Sequence, residues 1–399
     1  MNGKERQDQV KAMGVAAQKD EIVVVAQGRK WGLARSAQGR SPFEILSFRA
    51  EDACCKKLAT RIGDQFSPIT LSRLPFPLPV NCLARGLLPG NLPIEVRYTY
   101  SRAVTGRNFV IHRYVFHNEE LKPVEKVRLS PGQAGLLCGW GIFTTMRISR
   151  GEAFAYERHW RRLEKDAALT HIPLAYTAAK VRVHLHEVIR ANKVSDGCAR
   201  IYLVYNKVGF WQSEEEHPQT DLLIYSAPLP EYREPIRLGL QEHGRHAASP
   251  LAGVKSTSWL ANVWAVGEAQ QEGLDEVVLL HERGEIAECT AANIFAVKNG
   301  KVYTPPLSSG CLEGVTRGIL FEIAPEAGVA VIQQTLRPED LFSAEEVFIS
   351  STNRNLLGVG EIAGHAIAGA PGPVTRQLDQ LFDTHVADYV TRRMASATR

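Results

Sequence analysis

Three features are missing from this chain of 399 residues, and each absence excludes a class of protein. No run of 18 or more apolar residues appears, which argues against a membrane-spanning helix. The 7 cysteines are scattered and contain no CxxC pair, so neither a disulfide framework nor a metal site is predicted. The first 21 residues lack the basic and then apolar layout of a secretory signal. We therefore expect a protein of the cytoplasm without membrane contact.

The composition is 44% hydrophobic and 23% charged, which is typical of a globular chain with two or three domains. The net charge of +4 is unevenly distributed along the chain. Residues 1–107 hold 17 Lys and Arg against 9 Asp and Glu, whereas the remainder holds 30 against 34. The basic residues are dispersed and few aromatic residues lie between them, so we expect no nucleic-acid partner.

Residues 1–107 have no regular pattern of apolar residues. They contain one strand candidate at residues 21–27, a possible helix at residues 51–62, and a proline-rich passage at residues 74–93. Methionine occurs only at positions 1, 13, 146 and 394. We interpret residues 1–107 as an irregular basic extension, and we favour the hypothesis that they lie upstream of the native start.

From residue 108 onward, strand and helix patterns alternate without a regular βαβ repeat and without a GxGxxG after a strand. The pattern predicts helices at residues 158–169, 178–191, 259–273 and 315–328, and strands at residues 113–118, 126–131, 199–207, 220–228, 237–243, 276–288, 293–305, 329–336 and 346–352. The three prolines of PLPEYREP favour a linker. We therefore predict an α+β fold with a small domain at residues 108–227, a linker at 228–236 and a larger domain at 237–399.

Five groups of residues carry chemistry, although each has a plain structural alternative. They are a lysine after a glycine-containing loop (Lys255), a glutamate before a strand (Glu288), a helix start (Gly314 to Thr316), hydroxyls at a strand end (Ser350, Ser351 and Thr352) and a helical arginine (Arg162). Singly, these are a surface lysine, a strand-edge glutamate, an N-cap, a turn and a solvated arginine. Together they supply an amine, a carboxylate and anion-binding groups, which pyridoxal phosphate requires.

The order of these motifs resembles that of the class IV aminotransferases, the group of branched-chain aminotransferase, D-amino-acid aminotransferase and aminodeoxychorismate lyase. The resemblance extends from about Phe109 to Tyr389. It rests on HxxRL at residues 159–163, AGVK at residues 252–255, ExxxxN at residues 288–293, LxGVTR at residues 312–317 and the late serine-threonine strand end.

The resemblance implies a pyridoxal-phosphate enzyme of fold type IV, with a small α/β domain, a larger pseudo-barrel domain and the cofactor between them. It implies that Lys255 forms the Schiff base and that Glu288 contacts the pyridine nitrogen. The phosphate would be bound by Arg162, Val315, Thr316 and Thr352, with Ser351 as a further donor, and Leu312 would pack on the ring. A homodimer and a small amino-acid-like substrate are also implied.

The subgroup is harder to predict than the family. Branched-chain enzymes commonly carry a phenylalanine-glutamate pair in the early strand and a tyrosine after the lysine, whereas this chain has Phe143-Thr144-Thr145 and Trp259-Leu260. These departures favour aminodeoxychorismate lyase, which eliminates pyruvate to leave 4-aminobenzoate for folate biosynthesis. Branched-chain and D-amino-acid transamination remain alternatives, as does a module that binds the cofactor without turnover.

Overall fold

The computed structural model describes five strand segments between residues 22 and 98, and residues 111–129, 132–206 and 219–397. The chain divides into two units, Met1–Gly106 and Arg107–Arg399. Within the described residues, no helix combines the length and the apolar character needed to cross a membrane.

The first unit contains an antiparallel sheet with the strand order β1-β2-β3-β5-β4. Its strands are β1 (Ile22–Gln27), β2 (Lys30–Arg35), β3 (Glu44–Phe48), β4 (Cys82–Leu88) and β5 (Leu92–Tyr98). The sequence predicts one of these strands and an otherwise irregular segment, and the sheet differs from that expectation. Three of the missed strands contain a residue that is depleted in strands: glycine in β2 and β4, and proline in β5. The helix predicted at residues 51–62 lies outside the described residues.

The second unit begins with a six-stranded antiparallel sheet of order β7-β6-β11-β10-β8-β9. Its strands are β6 (Tyr114–His117), β7 (Glu120–Pro123), β8 (Gly141–Ser149), β9 (Glu152–Ala153), β10 (Gly197–Tyr205) and β11 (Thr220–Ala227). Its helices are α1 (Ala134–Cys138), α2 (Tyr156–Leu169) and α3 (Ala178–Ala191). The apolar stripes of α2 and α3 pack on one face of the sheet, where Leu163, Leu185 and Ile201 are fully buried. Because side chains alternate along a strand, Arg200 of β10 lies on the opposite face.

A second, nine-stranded sheet follows, with the order β14-β13-β12-β19-β18-β15-β16-β17 and with β20 paired to β19. Its strands are β12 (Ile236–Gln241), β13 (Glu276–Leu280), β14 (Ile286–Cys289), β15 (Asn293–Lys298), β16 (Lys301–Thr304), β17 (Val331–Gln333), β18 (Glu346–Ser351), β19 (Asn355–Ile362) and β20 (His365–Ala366). The helices are α4 (Leu260–Gln271), α5 (Val315–Ile323), α6 (Pro338–Phe342) and α7 (Pro373–Ala397). Short 3-10 helices occur at Val124–Lys126, Leu307–Ser309 and Ala324–Ala327.

The two faces of this larger sheet bury separate cores. One core contains Ile294, Ile349 and Val359, and the other contains Phe295 and Phe348, against which α5 and α7 pack. Alternating residues of β15 and β18 therefore enter different cores, as a sheet that is buried on both faces requires. The α+β fold with a small domain and a larger curled sheet is confirmed.

The strand predicted at residues 126–131 is wrong. The hairpin partner of β6 comes earlier, at β7, because Asn118 and Glu119 form a two-residue turn between His117 and Glu120. Asn118 adopts a left-handed φ of 57°, a conformation that asparagine tolerates better than most residues. The sequence patterns also missed β19 and the 25-residue helix α7.

Candidate functional site

A cavity of about 700 Å³ lies between the face of the small sheet that carries Arg200 and the loops of the larger sheet. All eight residues that the resemblance assigns to the cofactor line it: Lys255, Glu288, Arg162, Leu312, Val315, Thr316, Ser351 and Thr352. These residues come from separate loops and strands and from two helices, α2 and α5, so their convergence is a property of the fold rather than of sequence proximity.

Lys255 lies in the loop before α4, and its backbone is fixed on both sides. Its N–H donates to Asp166 Oδ2 at 3.2 Å, and its carbonyl oxygen accepts from the N–H of Phe143 at 2.9 Å. Gly253, two residues earlier, has a φ of 76°, and a Cβ there would lie 2.9 Å from the carbonyl oxygen of Cys311. Glycine is therefore required in this loop by both conformation and space.

The Lys255 ammonium group is enclosed by aromatic rings and neighbouring cations. Its Nζ lies 4.6 Å from the ring centroid of Phe143 and 4.8 Å from that of Trp259. Burial lowers the pKa of Lys255 to about 7, and the charges of Arg162 and Arg200 act in the same direction. Near neutral pH a substantial fraction of this amine is therefore uncharged and nucleophilic.

Arg162 is held by a network inside the small domain. Its Nη2 donates to the Thr144 hydroxyl at 2.9 Å, and that hydroxyl lies 2.8 Å from His159 Nδ1. Burial holds the pKa of His159 well below its usual value, so the imidazole is neutral. Because the Thr144 oxygen accepts from Arg162, its own proton is available to His159 Nδ1. A second guanidinium nitrogen of Arg162 donates to the carbonyl oxygen of Glu313 at 3.2 Å.

Glu288 ends in the cavity from strand β14, and both of its carboxylate oxygens have donors. Oε1 accepts from Arg245 Nε and Oε2 accepts from the N–H of Leu312, each at 3.0 Å. Arg245 also donates to Asn262 Oδ1 at 3.0 Å. The cation that compensates Glu288 is therefore Arg245, which the fold brings in from 43 residues away.

The N-terminus of α5 borders the cavity. Gly314 is the N-cap residue, and a Cβ on it would lie 2.0 Å from Asn293 Oδ1, so a larger residue would displace the Asn293 side chain. Val315 and Thr316 follow in the first turn, where backbone N–H groups lack partners within the helix. Such a terminus attracts an anion through these groups and through the helix dipole.

The hydroxyl cluster at the end of β18 lies in the same cavity. The turn that follows it is anchored by Arg354, which donates to Glu276 Oε2 at 2.8 Å and to the carbonyl oxygen of Ala291 at 3.0 Å. Both members of this ion pair are buried, so breaking the pair would leave an isolated charge in the interior. The ion pair therefore fixes the position of the hydroxyl cluster.

Comparison with known proteins places the chain in a family. The family model described as amino-transferase class IV matches residues 141–362. The chain is a member of the class IV aminotransferases. It is accordingly a pyridoxal-phosphate-dependent enzyme, and the resemblance seen in its motifs is confirmed.

Two relatives and two solved structures indicate the breadth of the likeness. The branched-chain-amino-acid aminotransferase of Escherichia coli K12 is 27% identical over 282 residues, which cover 67% of this chain and 91% of the relative. The D-alanine aminotransferase of Bacillus licheniformis is 27% identical over 254 residues, with 63% and 89% covered.

The crystal structure of the Escherichia coli branched-chain enzyme superimposes with a TM-score of 0.64 at 26% identity, covering 69% of this chain and 95% of that one. A Legionella pneumophila chain described as a candidate 4-amino-4-deoxychorismate lyase superimposes with a TM-score of 0.61 at 22% identity, covering 65% and 96%. At that identity the second likeness concerns the fold alone.

The groups around the cavity of this class IV aminotransferase fit pyridoxal phosphate. They include a buried amine, a buried carboxylate and a helix N-terminus beside an arginine, as the aldehyde, pyridine nitrogen and phosphate require. Arg162 Nε and Ser350 Oγ are buried and have no hydrogen-bond partner among the described residues. Buried donors of this kind are costly unless a ligand or water satisfies them, so the site is suited to an additional polar group.

Four contributors to the site escaped the sequence patterns: Arg245, Arg200, Arg354 and Asp166. Arg200 did leave a signal, since it is a single charge within the apolar strand ARIYLVY and therefore faces the cavity side of β10.

Thr144, part of the strand used to predict a lyase, is buried against His159 and Arg162, whereas Thr145 lines the cavity. Trp259 also lines the cavity, and Leu260 is 81% exposed.

Proposed function

We propose that this enzyme transfers the amino group of an α-amino acid and that Lys255 is the residue that carries the cofactor. The observation that supports this most directly is a buried amine whose pKa is lowered to about 7 by burial. A solvated lysine is almost fully protonated at neutral pH and is a poor nucleophile, whereas this one is poised for bond formation.

The cofactor would be held by groups from both domains. Glu288 would face the pyridine nitrogen, and Leu312 would pack against the ring. The phosphate would be bound by the N–H groups of Val315 and Thr316, the Arg162 guanidinium, and the hydroxyls of Ser351 and Thr352. A planar guanidinium and a helix N-terminus are each favourable for a phosphate dianion, and their combination here supports this orientation.

The chemistry follows from that arrangement. When bound, the cofactor supplies an electron sink for the charge that develops at the substrate α-carbon. Lys255 Nζ takes the α-proton as a general base and later returns it to a different carbon. Glu288 keeps a proton on the pyridine nitrogen, which preserves the strength of the sink. Arg200, on the opposite wall of the cavity, binds the substrate carboxylate.

Transamination is supported over the lyase reaction that the sequence favoured. The relatives matched over nine-tenths of their own length include a branched-chain aminotransferase, and a D-alanine aminotransferase is matched nearly as far. The Thr144 hydroxyl accepts a hydrogen bond from Arg162 and so helps to hold it. The presence of Thr144 therefore does not distinguish a lyase from a transaminase.

Loss of pyruvate from aminodeoxychorismate is a second candidate. It is favoured by the aromatic wall that Trp259 gives the cavity; Trp259 meets Phe143 edge-on at 5.3 Å, and Phe143 stacks on Tyr202 at 5.1 Å. Such a wall suits a substrate that contains a ring.

The two reactions are separated by one assay. The full-length protein is loaded with pyridoxal phosphate and offered leucine, glutamate or D-alanine, each with 2-oxoglutarate, and separately aminodeoxychorismate. We expect a keto acid from at least one amino acid. Formation of 4-aminobenzoate and pyruvate without any keto acid would favour the lyase. Bound cofactor with no product from any substrate would indicate a binding module and contradict the proposed function.

We also propose a homodimer in which α4 contributes to the interface. Leu260, Val263 and Trp264 follow the spacing of one helix face and are 81%, 63% and 58% exposed. Replacing Val263 and Trp264 by glutamate should convert a dimer to a monomer in sedimentation velocity. Val183→Glu, at an exposed apolar position of α3, is the matched control and should leave the assembly unchanged. A parent protein that sediments as a monomer would contradict the proposal.

We propose that the enzyme proper consists of residues 108–227 and 237–399 joined by a linker at residues 228–236. In support, β11 ends at Ala227 and β12 begins at Ile236. A protein truncated to residues 108–399 should bind cofactor and match the full chain in activity. Loss of either property would show that residues 1–107 contribute to the enzyme.

A further inference from the structure

A second buried carboxylate, Asp166, contacts the backbone of the lysine loop and has no part in the scheme above. It is only 2% exposed and projects from α2, one turn after Arg162. Its Oδ2 accepts the backbone N–H of Lys255 at 3.2 Å. The contact joins a helix of the small domain to the loop that carries the reactive lysine, across 89 residues of sequence.

A carboxylate in such a place needs compensating charge, because burial of an unpaired anion is costly. Burial raises the pKa of Asp166, and this is opposed by the Lys255 N–H and by the charges of Arg162, Lys165 and Lys255. In return, the charge of Asp166 favours the protonated form of Lys255 and opposes the effect of burial on that amine. Asp166 and Lys255 therefore influence each other's charge.

We propose that Asp166 is a positioning residue for Lys255: it fixes the lysine loop through the backbone and supplies the negative charge that helps the lysine nitrogen hold a proton. This inference rests on the proposed role of Lys255 as the residue that carries the cofactor. With the cofactor bound, the Lys255 amine would form a C=N bond with the aldehyde carbon, and one water would leave. The nitrogen of that bond titrates, and a nearby anion favours its protonated form.

Other charged and titratable groups act on the same two residues. They are Arg162 and Lys165 on α2, Arg200 on β10 and Glu288 on β14. Two further titratable groups neighbour Arg162: His159 on α2 and Glu313 on the turn before α5. All of these residues are kept in the Asp166 variants. A shift in the titration midpoint of a variant therefore reports the loss of the Asp166 charge.

The test is a pH titration of the visible absorbance of the lysine-bound cofactor in the full-length holoenzyme. Asp166→Asn keeps an oxygen that accepts the Lys255 N–H but removes the charge. We expect its titration midpoint to fall by about one pH unit, because an opposite charge at close range has been lost. Asp166→Ala should show the same shift and, because the loop contact is also lost, a cofactor dissociation constant about tenfold weaker.

Asp379→Asn is the matched control. Asp379 Oδ1 likewise accepts a backbone N–H at 3.2 Å, from Leu356, and burial likewise raises its pKa, but it lies on α7 and is not among the charges that act on Lys255. Its titration midpoint should equal that of the parent protein. If Asp166→Asn does not fold, Asp166→Ser serves in its place with the same expected shift.

Two outcomes would overturn the inference. The first is an unchanged midpoint in the neutral variants, and the second is weaker cofactor binding in both Asp166→Asn and Asp166→Ala without any shift, which is what a purely structural role predicts. A Lys255→Ala protein that still shows the titrating band would instead contradict the proposed function, so the two failures are distinguishable.

Discussion

Two regions of the second unit hold their cations in opposite ways. At the lysine end of the cavity, the direct contacts of the cations are with neutral groups: Arg162 donates to a hydroxyl and a carbonyl oxygen, and the Lys255 ammonium lies over two aromatic rings. Where α7 packs against the small sheet, Arg147 donates to Asn355 Oδ1 at 2.6 Å and to the Asp383 carboxylate at 3.3 Å. The second region is a structural contact with charges of both signs.

The difference indicates which region is prepared for a ligand. Burial lowers the pKa of both Arg162 and Lys255, and the charges of Asp166 and Glu288 oppose only part of that effect. Folding alone therefore gives no reason to keep these two buried cations. Perturbed pKa values and uncompensated charge concentrate at functional sites because ligands supply the missing charge. The comparison therefore predicts that substitutions in the cavity mainly reduce function, whereas substitutions at the α7 contact mainly reduce stability.

Lys255→Ala should have the largest effect on function. Activity should fall by at least about 10⁴-fold, since no neighbouring side chain replaces the amine that bonds to the cofactor and moves the proton. The thermal unfolding midpoint of the cofactor-free protein at pH 7 should not fall, because the amine removed is one whose charging is opposed by burial. Steady-state kinetics and thermal melts measure the two quantities.

Arg147→Ala is the counterpart at the other region. It should lower the free energy of unfolding by about 1.5–3 kcal/mol, the range for hydrogen bonds that involve a charged group, and keep near-parental activity. The contrast between a functional cavity and a structural α7 contact would be contradicted if Arg147→Ala inactivates the folded enzyme or if Lys255→Ala keeps a parental rate.

Glu288→Gln should reduce the rate by about 10²–10⁴-fold while cofactor remains bound, because an amide does not hold the pyridine nitrogen protonated. The amide can still accept the Leu312 N–H, so the fold should persist. The measurement is the ratio of bound cofactor to activity. Glu313→Gln, at a 54% exposed side chain on the turn before α5, is the control and should stay near the parental rate. A parental rate for Glu288→Gln would contradict its assigned role.

How much of this site the sequence predicted depends on whether a residue lies in a local motif. Lys255, Glu288 and the start of α5 stand in short ordered segments, so their pattern was sufficient to select them. Arg245 and Asp166 act through partners 43 and 89 residues away, and no local periodicity encodes such a contact.

The same limit applies to the fold. Helices α2 and α3 were predicted because each has a well-defined apolar stripe that packs on the small sheet. Helix α7 was missed because its residues contact α5, β18, β19 and the small sheet on different sides, so its apolar residues do not form one narrow stripe.

Arg162→Ala should weaken cofactor binding by about 10- to 100-fold, which corresponds to the loss of a charge-assisted hydrogen bond. Activity at saturating cofactor should fall less, because Arg162 is assigned to the phosphate and not to the reacting atoms. Cofactor titration followed by absorbance measures the dissociation constant. Arg158→Ala, one turn earlier on α2 and paired with Glu322 at the surface, is the control and should stay within about twofold. An unchanged constant for Arg162→Ala would exclude the phosphate role.

Asp379→Asn should have the smallest effect. It tests whether one carboxylate of the α7 contact lowers the stability of the fold, in contrast to Arg147. Burial raises the pKa of Asp379 to about 6, and the charges of Asp383 and Glu234 act in the same direction. The unfolded chain loses this proton near pH 4, so the stability that the protonated group provides is present below pH 4 and is lost as pH rises towards 6.

The asparagine variant removes that penalty and keeps an oxygen that accepts the Leu356 N–H. Its free energy of unfolding should therefore exceed that of the parent protein by about 1 kcal/mol at pH 8, after allowance for solvent screening at a half-buried position, and should match it near pH 4. Urea unfolding at the two pH values measures the difference. A variant that is less stable than the parent protein at pH 8 would mean that the Asp379 carboxylate is a favourable partner for Arg147. Asp379 would then stabilise the α7 contact instead of weakening it.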